Sequence, residues 1–392
     1  MQYRKFGKLD WQGSALGFGC MRLPTTDGNP MSSNINEEEA IRMIRHAIDH
    51  GVNYVDTAYA YHGGKSEVVV GKALLDGYRA KVKLATKSPV WLIKQAEDFD
   101  KLLDEQLAKL QTNAIDFYLL HSMNRNSWPN IVQKLNLFER VNGALKDGRI
   151  KHIGFSFHDE FALFKQIVDG FDGWDFCQIQ YNYLDTTYQA GTKGLKYAAA
   201  KGLAVVVMEP LRGGKLAMPP EPIREFFQKA AIQRQPYDWA LQWVWNRPEV
   251  SVVLSGMTNM DHVNGNLAAA EVSGVGSLTS AEQAIIKKAQ KEFESLNTIP
   301  CTRCNYCMPC PNGVDIPGNF EAFNDGAQYK SEERGRAGYK RMAFFGGQKA
   351  LASSCQACNT CEDKCPQHIH ISELMPIVHS VLGEGQPFPS KI

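Results

Sequence analysis

Eight of the ten cysteines in this 392-residue sequence lie in two short runs near its carboxyl end. "CTRCNYCMPC" spans residues 301–310, and "CQACNTCEDKCP" spans residues 355–366. Closely spaced thiolates are typical metal ligands, because one tight loop can bring several sulfurs to the same centre. Disulfides are a weaker alternative, since the rest of the sequence indicates the cytoplasm, where thiols stay reduced. The two runs therefore predict a metal centre bound by thiolates.

The spacing inside the runs favours iron–sulfur over zinc. The second run reads C-x2-C-x2-C-x3-C-P, the pattern of bacterial ferredoxins that bind 4Fe–4S clusters, and the first is one residue shorter before its last cysteine. Zinc remains an alternative, although zinc ribbons need two C-x2-C pairs rather than two runs of four. In ferredoxins with two clusters, the fourth cysteine of each run binds the other cluster. This resemblance implies two ligand sets, which are Cys301, Cys304 and Cys307 with Cys365, and Cys355, Cys358 and Cys361 with Cys310.

Four titratable residues follow apolar runs in the first third of the chain. Asp56 and Tyr61 lie in "DTAYAY", Lys87 lies in "ATKS" and His121 lies in "LLHS". A phenol with its usual pKa of about 10 is a poor acid, but a neighbouring ammonium lowers the pKa, and a carboxylate holds that ammonium in place. Such a tyrosine can protonate an alkoxide that forms on a carbonyl, while the histidine orients the carbonyl oxygen. A lone lysine or histidine in such a position is more often structural, but the four residues together predict an acid–base site.

These side chains need a scaffold whose strand ends converge. Eight short, nearly continuous apolar runs alternate with amphipathic segments, which is typical of parallel strands covered on both faces. One such segment, "NEEEAIRMIRHAIDHG", predicts a helix that begins after an asparagine cap and stops at Gly51. The alternation favours a closed (β/α)8 barrel with catalytic groups at the carboxyl ends of its strands, and the opening residues predict a hairpin across its bottom. The apolar runs are residues 15–21, 52–58, 82–88, 114–122, 151–158, 176–182, 203–211 and 250–257.

The chain divides into three predicted parts. Residues 1–278 form the barrel, residues 279–298 form an amphipathic bridging helix, and residues 299–392 form a small, mainly helical, ferredoxin-like iron–sulfur domain. Between the cysteine runs, residues 326–349 are polar and rich in glycine, with clusters of basic side chains. We interpret this segment as a solvated loop or exposed helix; the alternative is a docking surface for an acidic redox partner.

Five motifs, "GFGCMRLP", "DTAYAY", "ATKS", "YLLHS" and "EPLRGGKL", resemble those of the aldo-keto reductases over roughly residues 1–275. With the cysteine runs added, the chain resembles the iron–sulfur branch of that family. The resemblance implies hydride transfer between a nicotinamide dinucleotide and a carbonyl or alcohol, with Tyr61 as acid and base. It also implies the cofactor contacts, which are Ser156 and Gln178 for the carboxamide, Met208, Pro210, Leu211 and Gly213 around the nicotinamide and pyrophosphate, and Asn266 for the adenine.

Three features depart from the family pattern. Phe157 follows Ser156 where the family often has asparagine, and Met208 stands where an aromatic ring usually stacks on the nicotinamide. Gly256 and His262 occupy the region where basic side chains usually pair with a 2′-phosphate, so the choice between NADH and NADPH stays open.

Hydride carries two electrons whereas each cluster carries one, so a relay between them needs an intermediate such as a flavin. We find no flavin motif.

Three functions are compatible with these patterns. The leading one is an oxidoreductase whose two clusters exchange electrons with a separate carrier protein. In the second, the clusters only stabilise the tail against the barrel while carbonyl chemistry proceeds without them. The third is a redox-sensing or electron-transfer subunit whose barrel binds nucleotide without turnover.

Charge and hydropathy narrow the range of partners. The sequence has 43 Lys and Arg against 42 Asp and Glu, so no bulk charge favours nucleic acid or an anionic membrane surface. No apolar run approaches the roughly 20 residues that cross a bilayer. The first residues also lack the apolar core of a signal peptide. We therefore expect a cytoplasmic protein without nucleic-acid or membrane partners.

Overall fold

The structure is a computed structural model that describes residues 1–29, 32–301, 303, 306–365 and 367–389. The strands are β1 (Tyr3–Lys5), β2 (Gln12–Ser14), β3 (Leu16–Gly19), β4 (Tyr54–Asp56), β5 (Lys83–Ser88), β6 (Ile115–Met123), β7 (Ile150–Phe157), β8 (Phe176–Gln180), β9 (Ala204–Met208) and β10 (Val250–Gly256). The helices are α1 (Glu37–Asp49), α2 (Ser66–Ala73), α3 (Asp98–Lys109), α4 (Leu137–Asp147), α5 (Phe161–Asp169), α6 (Gly191–Ala200), α7 (Glu221–Gln228), α8 (Pro236–Trp245), α9 (Met260–Glu271), α10 (Ser280–Ser295), α11 (Ile316–Gln328), α12 (Glu332–Gly346) and α13 (Ile371–Leu382).

Strands β3 to β10 close into a parallel barrel, so the predicted (β/α)8 barrel is confirmed. Consecutive strands pair with each other, and β10 closes the ring by pairing with both β9 and β3. The strands are buried almost along their whole length, because helices cover one face and side chains fill the interior. Their carboxyl ends gather at one rim, which we call the mouth.

Local signals set the ends of the first helix, as the sequence predicts. The side-chain oxygen of Asn36 accepts a hydrogen bond from the backbone N–H of Glu39 at 3.2 Å and so caps α1. Three glutamates in the first turn lie at the positive end of the helix dipole. The chain leaves the helix at Gly51, whose φ of 95° is a conformation that favours glycine.

The amino-terminal hairpin covers the rim opposite the mouth, as predicted. Strands β1 and β2 pair antiparallel, with Tyr3 opposite Ser14. The ring of Phe6, which follows β1, is fully buried and lies 4.6 Å from the ring of Phe117 inside the barrel. Apolar side chains from the strands surround this pair, so this end of the barrel is a packed core.

Packing divides the chain into two compact units. The first comprises Met1–Ala217 and Arg234–Gln283, and the second comprises Met218–Gln233 and Ala284–Ile392. The predicted bridging segment contains α10, most of which falls in the second unit. Residues 218–233, which carry α7, also group with the second unit, although their position after β9 suggested part of the barrel. The predicted domain limits remain predictions.

The second unit is mainly helical, as predicted. Its core contains Phe320 and Phe323 of α11 and Met375 of α13. Asn324 fixes the backbone ahead of the first cysteine run, because its side chain accepts from the N–H of Ile299 at 2.8 Å and donates to the carbonyl of Ile299 at 2.7 Å.

The segment between the cysteine runs contains an exposed helix rather than only a loop. This helix is α12, and its first turn is capped by Ser331, whose side chain accepts from the backbone N–H of Arg334. Within the described parts of the chain, no helix is long and apolar enough to cross a membrane.

Candidate functional site

A buried ion pair lies at the mouth of the barrel. Lys87 Nζ donates to Asp56 Oδ1 at 2.6 Å and to the backbone carbonyl of Thr57 at 2.7 Å. The two charged side chains are only 1% and 3% exposed. Pairing of β4 with β5 brings the two strand ends side by side. A buried ion pair rarely stabilises a fold more than apolar residues would, so this pair is a candidate functional group.

Tyr61 and His121 lie next to this pair. Tyr61 begins a short helical turn after β4, and Lys87 Nζ lies 5.1 Å from the centroid of its ring. The ring centroid of His121, near the end of β6, lies 6.2 Å from that of Tyr61, edge to face. The structure thus brings together the four titratable residues that the sequence singled out.

Burial determines the direction of the pKa shift at Tyr61. The sequence suggested that Lys87 would lower the pKa of Tyr61, but the net shift is upward. Burial raises this pKa, and the charge of Lys87 cancels only part of the rise. At Lys87, burial alone would lower the pKa, but attraction to Asp56 and Tyr61 outweighs it and leaves the pKa above its usual value. At neutral pH the phenol is therefore protonated and the lysine charged, as a proton donor and its stabilising cation require.

His121 is neutral in this setting. Burial first, and then the positive charge of Lys87, lower the pKa of the imidazole well below its usual value. Its Nδ1 atom is buried and finds no hydrogen-bond partner among the described residues. The ring of Trp91, which follows β5 and is 47% exposed, lies 5.1 Å from the imidazole. Trp91 is therefore a mouth residue that sequence analysis missed.

The two residues expected to hold a carboxamide stand side by side, because Ser156 on β7 and Gln178 on β8 are register partners. Ser156 Oγ accepts from the backbone N–H of Ser122 at 2.7 Å. Gln178 Nε2 lies 3.5 Å from the sulfur of Met208. Gln178 Oε1 is buried and bonds to none of the described residues. An unpaired buried acceptor fits the amide N–H of a nicotinamide carboxamide.

The loop after β9 has repeated left-handed backbone conformations. They occur at Glu209 (φ 53°), Arg212 (φ 49°), Gly213 (φ 66°) and Gly214 (φ 94°), and Pro210 and Leu211 lie between them. Successive turns of this kind can point backbone N–H groups into one concavity, which suits a phosphate. A β-carbon on Gly214 would meet nothing within 4 Å, so the backbone here borders open space.

Arg22 reaches the same loop from the turn after β3. Its Nη2 atom lies 3.4 Å from the position of a β-carbon on Gly213, and its Cβ lies 3.3 Å from that position on Gly256. Arg212 is already paired with Asp185 at 3.2 Å. By contrast, the side chain of Arg22 forms no ion pair or hydrogen bond with any described residue. The family pattern places a phosphate-binding cation only after β10, so this guanidinium was not expected from the sequence.

Asn266, expected near the adenine, is buried on α9. Its Nδ2 donates to Ser255 Oγ at 2.9 Å, next to the end of β10. This bond occupies one of its donors, and its contact with adenine stays a prediction. Nearby, the imidazole of His262 lies 3.1 Å from the hydroxyl of Thr258.

In the second unit, cysteines from both runs line one cavity. Cys301 and Cys307 of the first run and Cys365 of the second share it with Arg303 and Phe320. The cavity is narrow, because only about 20 Å³ is open to the centre of a water molecule, which is room for about one water. Cys304, predicted for the same set, lies outside the described residues.

Two other thiols, Cys355 and Cys310, lie near Cys361. Burial raises the pKa of this thiol to about 11, and the charges of Cys355 and Cys310 add to the rise. Cys358 is exposed, and Asn312 Nδ2 lies 3.9 Å from its sulfur. The fourth cysteine of each run therefore lies with the thiols of the other run. Among the residues that the structure describes, no three His, Cys, Asp or Glu side chains converge closely enough to hold a single ion.

The sequence matches the patterns of two known protein families. The pattern of the aldo/keto reductase family covers residues 15–290, and that of the 4Fe-4S dicluster domain covers residues 300–370. L-galactose dehydrogenase of Arabidopsis thaliana is 27% identical over 290 residues, which are 69% of this chain and 88% of that protein. Aldo-keto reductase YhdN of Bacillus subtilis is 33% identical over 165 residues, which are 40% of this chain and 47% of that protein.

A solved structure has a similar barrel. Aldo-keto reductase AKR11C1 from Bacillus halodurans, in its holo form, covers 74% of this chain and 96% of its own, with 26% identity and a TM-score of 0.60. Because the first family pattern spans well over half of the chain, this protein is an oxidoreductase of the aldo/keto reductase family, and it carries a 4Fe–4S dicluster domain at its carboxyl end.

Proposed function

We propose that the barrel transfers hydride between NADH or NADPH and a small carbonyl or alcohol substrate, with Tyr61 as acid and base. The observation that carries this proposal is the buried Lys87–Asp56 ion pair beside the ring of Tyr61. The bound nicotinamide supplies or accepts the hydride. The hydroxyl of Tyr61 donates its proton to the carbonyl oxygen, and the charge of Lys87 stabilises the remaining phenolate. Neutral His121 orients the same oxygen by a hydrogen bond.

Residues on neighbouring strands and loops would hold the dinucleotide. Ser156 and Gln178 bind the carboxamide, and the free acceptor of Gln178 supports this assignment. Met208 packs on the ring face, since a thioether can replace an aromatic ring there with less rigidity. The left-handed loop with Pro210, Leu211 and Gly213 receives the pyrophosphate, and Asn266 lies toward the adenine.

The tail would bind two 4Fe–4S clusters. The shared cavity supports a first set of Cys301, Cys304, Cys307 and Cys365. Cys310 and Cys355 near Cys361 support a second set, which the sequence pattern completes with Cys358. The lining of this cavity by thiols and apolar side chains suits a sulfur-bound group, and the two runs of four cysteines favour a cluster over zinc.

The clusters would exchange electrons with a separate carrier protein. Direct transfer from the nicotinamide is less favoured, because hydride moves two electrons and each cluster moves one. A flavin could divide them, although the sequence has no flavin motif. The alternative, in which the clusters only stabilise the tail, predicts that cluster removal lowers the unfolding temperature while carbonyl reduction continues.

A non-catalytic redox-sensing or electron-transfer subunit is the second candidate function. Met208 in place of an aromatic ring, and Gly256 in place of a basic residue, favour it because both weaken expected dinucleotide contacts. Against it stands the Lys87–Asp56 pair, since a barrel that only binds nucleotide has no need of two buried charges next to a phenol. The cytoplasm remains the proposed compartment for either function, because exposed cluster ligands are best preserved where thiols stay reduced.

Anaerobic purification followed by kinetic measurements tests the proposal. We expect coloured protein with iron and sulfide in equal amounts, and consumption of NADH or NADPH with at least one member of a panel of aldehydes and ketones. A protein that binds either dinucleotide tightly but consumes neither with any carbonyl would support the non-catalytic subunit instead.

A further inference from the structure

Helix α12 presents two phenylalanines to solvent. Phe344 is 83% exposed and Phe345 is 79% exposed, and their ring centroids lie 5.1 Å apart at right angles. Among the described residues, no other large apolar side chain has so high an exposed fraction. Two adjacent aromatic rings in water are a common sign of a protein-binding surface.

The orientation of α12 explains this exposure. Its opposite face is fixed to the core of the second unit, where Tyr339 is 3% exposed and its hydroxyl lies 2.9 Å from Nδ1 of His379. Lys340 and Arg341 precede Phe344 and Phe345 by four residues each, so the four side chains share the outward face of the helix.

The turn that follows this face of α12 adjoins the exposed part of the second cysteine run. After α12 the chain turns at Gly347, and the hydroxyl of Ser354, which precedes Cys355, donates to the carbonyl of Gln348 at 3.1 Å. The Cβ of Lys349 lies 3.5 Å from the position of a β-carbon on Gly313. That residue follows Asn312, whose amide nitrogen is 3.9 Å from the sulfur of exposed Cys358.

The charge of this face is positive. Lys340, Arg341 and Lys349 are exposed, and none of them forms an ion pair or hydrogen bond with any residue in the described ranges. Two other cations of the helix are neutralised, since Arg336 pairs with Glu332 at 2.8 Å and Arg334 lies 3.3 Å from an oxygen of Asp325. The free cations therefore flank the aromatic pair along the chain, with Lys340 and Arg341 before it and Lys349 after it.

We infer that Lys340, Arg341, Phe344, Phe345 and Lys349, which we call the carrier face, dock a small acidic one-electron carrier protein. The inference rests on the proposed iron–sulfur function. The rings give an apolar centre, and the surrounding cations attract a negatively charged partner and orient it over the loop of Cys358. In the transfer, the reduced carrier loses one electron and the oxidised cluster of the second set gains it, and no proton or other atom moves.

The test compares two variants with a matched control in the anaerobically purified full-length protein. The probe is a reduced, acidic 2Fe–2S ferredoxin. One variant reverses two charges (Lys340→Glu with Arg341→Glu), and the other removes both rings (Phe344→Ser with Phe345→Ser). The control, Lys287→Glu with Lys288→Glu, makes the same charge change on exposed residues of α10. Titration calorimetry measures binding, and stopped-flow absorbance measures cluster reduction.

We expect the charge reversal to slow cluster reduction at low ionic strength by about 10- to 100-fold, with the difference fading at high salt. Removing the rings should weaken binding by about tenfold or more with little change in salt dependence. The control should behave as the wild type, and dithionite should reduce the clusters equally in all four proteins.

Equal binding and reduction rates for all four proteins would overturn the inference. A second outcome would also overturn it. If removing the rings abolished self-association of the protein but left carrier binding unchanged, the face would bind a second copy of this chain. Iron-free protein would instead contradict the proposed cluster function, while the binding titration would still report on the carrier face.

Discussion

The ammonium nitrogen of Lys87 lies 5.1 Å from the centre of the Tyr61 ring and donates hydrogen bonds to Asp56 and to the carbonyl of Thr57. The ammonium is therefore positioned to stabilise a phenolate, yet burial keeps the pKa of Tyr61 above that of a free phenol. The barrel thus presents a protonated acid at neutral pH and the means to stabilise its conjugate base.

The pH dependence of catalysis follows from this arrangement. Because the pKa of Tyr61 is raised, carbonyl reduction should stay constant through neutral pH and fall only above about pH 10, while alcohol oxidation, which needs the phenolate, should rise across that range. The pKa of His121 is lowered, so no loss of reduction is expected near pH 6.5, the usual value for this side chain. Steady-state rates in both directions check this. A reduction rate that falls between neutral pH and pH 9, with a slope of about one proton, would contradict it.

Separating the buried ion pair should destabilise the barrel. Asp56→Asn leaves the ammonium of Lys87 buried without its counter-charge, and we expect a loss of about 3–5 kcal/mol in the free energy of unfolding. Lys83→Met on β5, the strand that carries Lys87, is the control. Lys83 pairs with Asp116 but is 44% exposed, so its loss should cost less than about 1 kcal/mol. Urea unfolding followed by tryptophan emission measures both. Equal losses in the two variants would contradict the role given to burial.

Sequence patterns predicted the barrel because each barrel strand is a short apolar run and amphipathic segments that form helices lie between these runs. Asp56, Lys87 and His121 could be identified because a parallel barrel places all strand ends at one rim. The net direction of the pKa shift at Tyr61 could not, because it depends on how much protein surrounds the phenol. That property follows from the turn at Tyr61–Gly64 and not from the motif.

Arg22 is expected to pair with the pyrophosphate. Arg22→Met removes an unpaired guanidinium beside Gly213, and we expect the affinity for both NADH and NADPH to fall by about 10- to 100-fold, with partial recovery in Arg22→Lys. Fluorescence titration with each dinucleotide measures this. Arg42→Met, which changes an exposed arginine paired with Glu39 on α1, is the control. A loss confined to NADPH would assign Arg22 to the 2′-phosphate, and no loss would remove it from the site.

Arg22 and Trp91 also mark the limit of sequence analysis at the mouth. Both are long side chains in turns, and the direction in which such a side chain points depends on neighbouring loops. Arg22 lies beside Gly213 and Gly256. The sequence singles out both glycines but does not show that Arg22 is their neighbour. Likewise, the sequence of residues 326–349 was compatible with a loop or an exposed helix. The structure shows the helix α12, which Tyr339 packs against the second unit.

The crossed ligand sets can be tested with pairs of serine substitutions. Cys301→Ser with Cys365→Ser removes two ligands of one proposed set, so about four irons per chain should remain of about eight. Cys355→Ser with Cys365→Ser removes one ligand from each set, so most iron should be lost, although both residues lie in the second run. Iron analysis and low-temperature electron paramagnetic resonance measure the difference.

Cys177→Ala is the control for these substitutions, because burial raises the pKa of this barrel thiol and keeps it unreactive. We expect this variant to keep all of its iron. If the two pairs gave the opposite results, each run would bind its own cluster and the crossed sets would be wrong.

The rate of carbonyl reduction by anaerobically purified Tyr61→Phe tests the central claim most directly. This change removes only the hydroxyl beside Lys87 and leaves the ring contacts with His121 in place. We expect the rate constant for reduction to fall by about 100- to 10,000-fold while the affinity for the dinucleotide and the iron content stay at the wild-type level. A variant that reduces carbonyl substrates as fast as the wild type would contradict the assignment of Tyr61 as the proton donor.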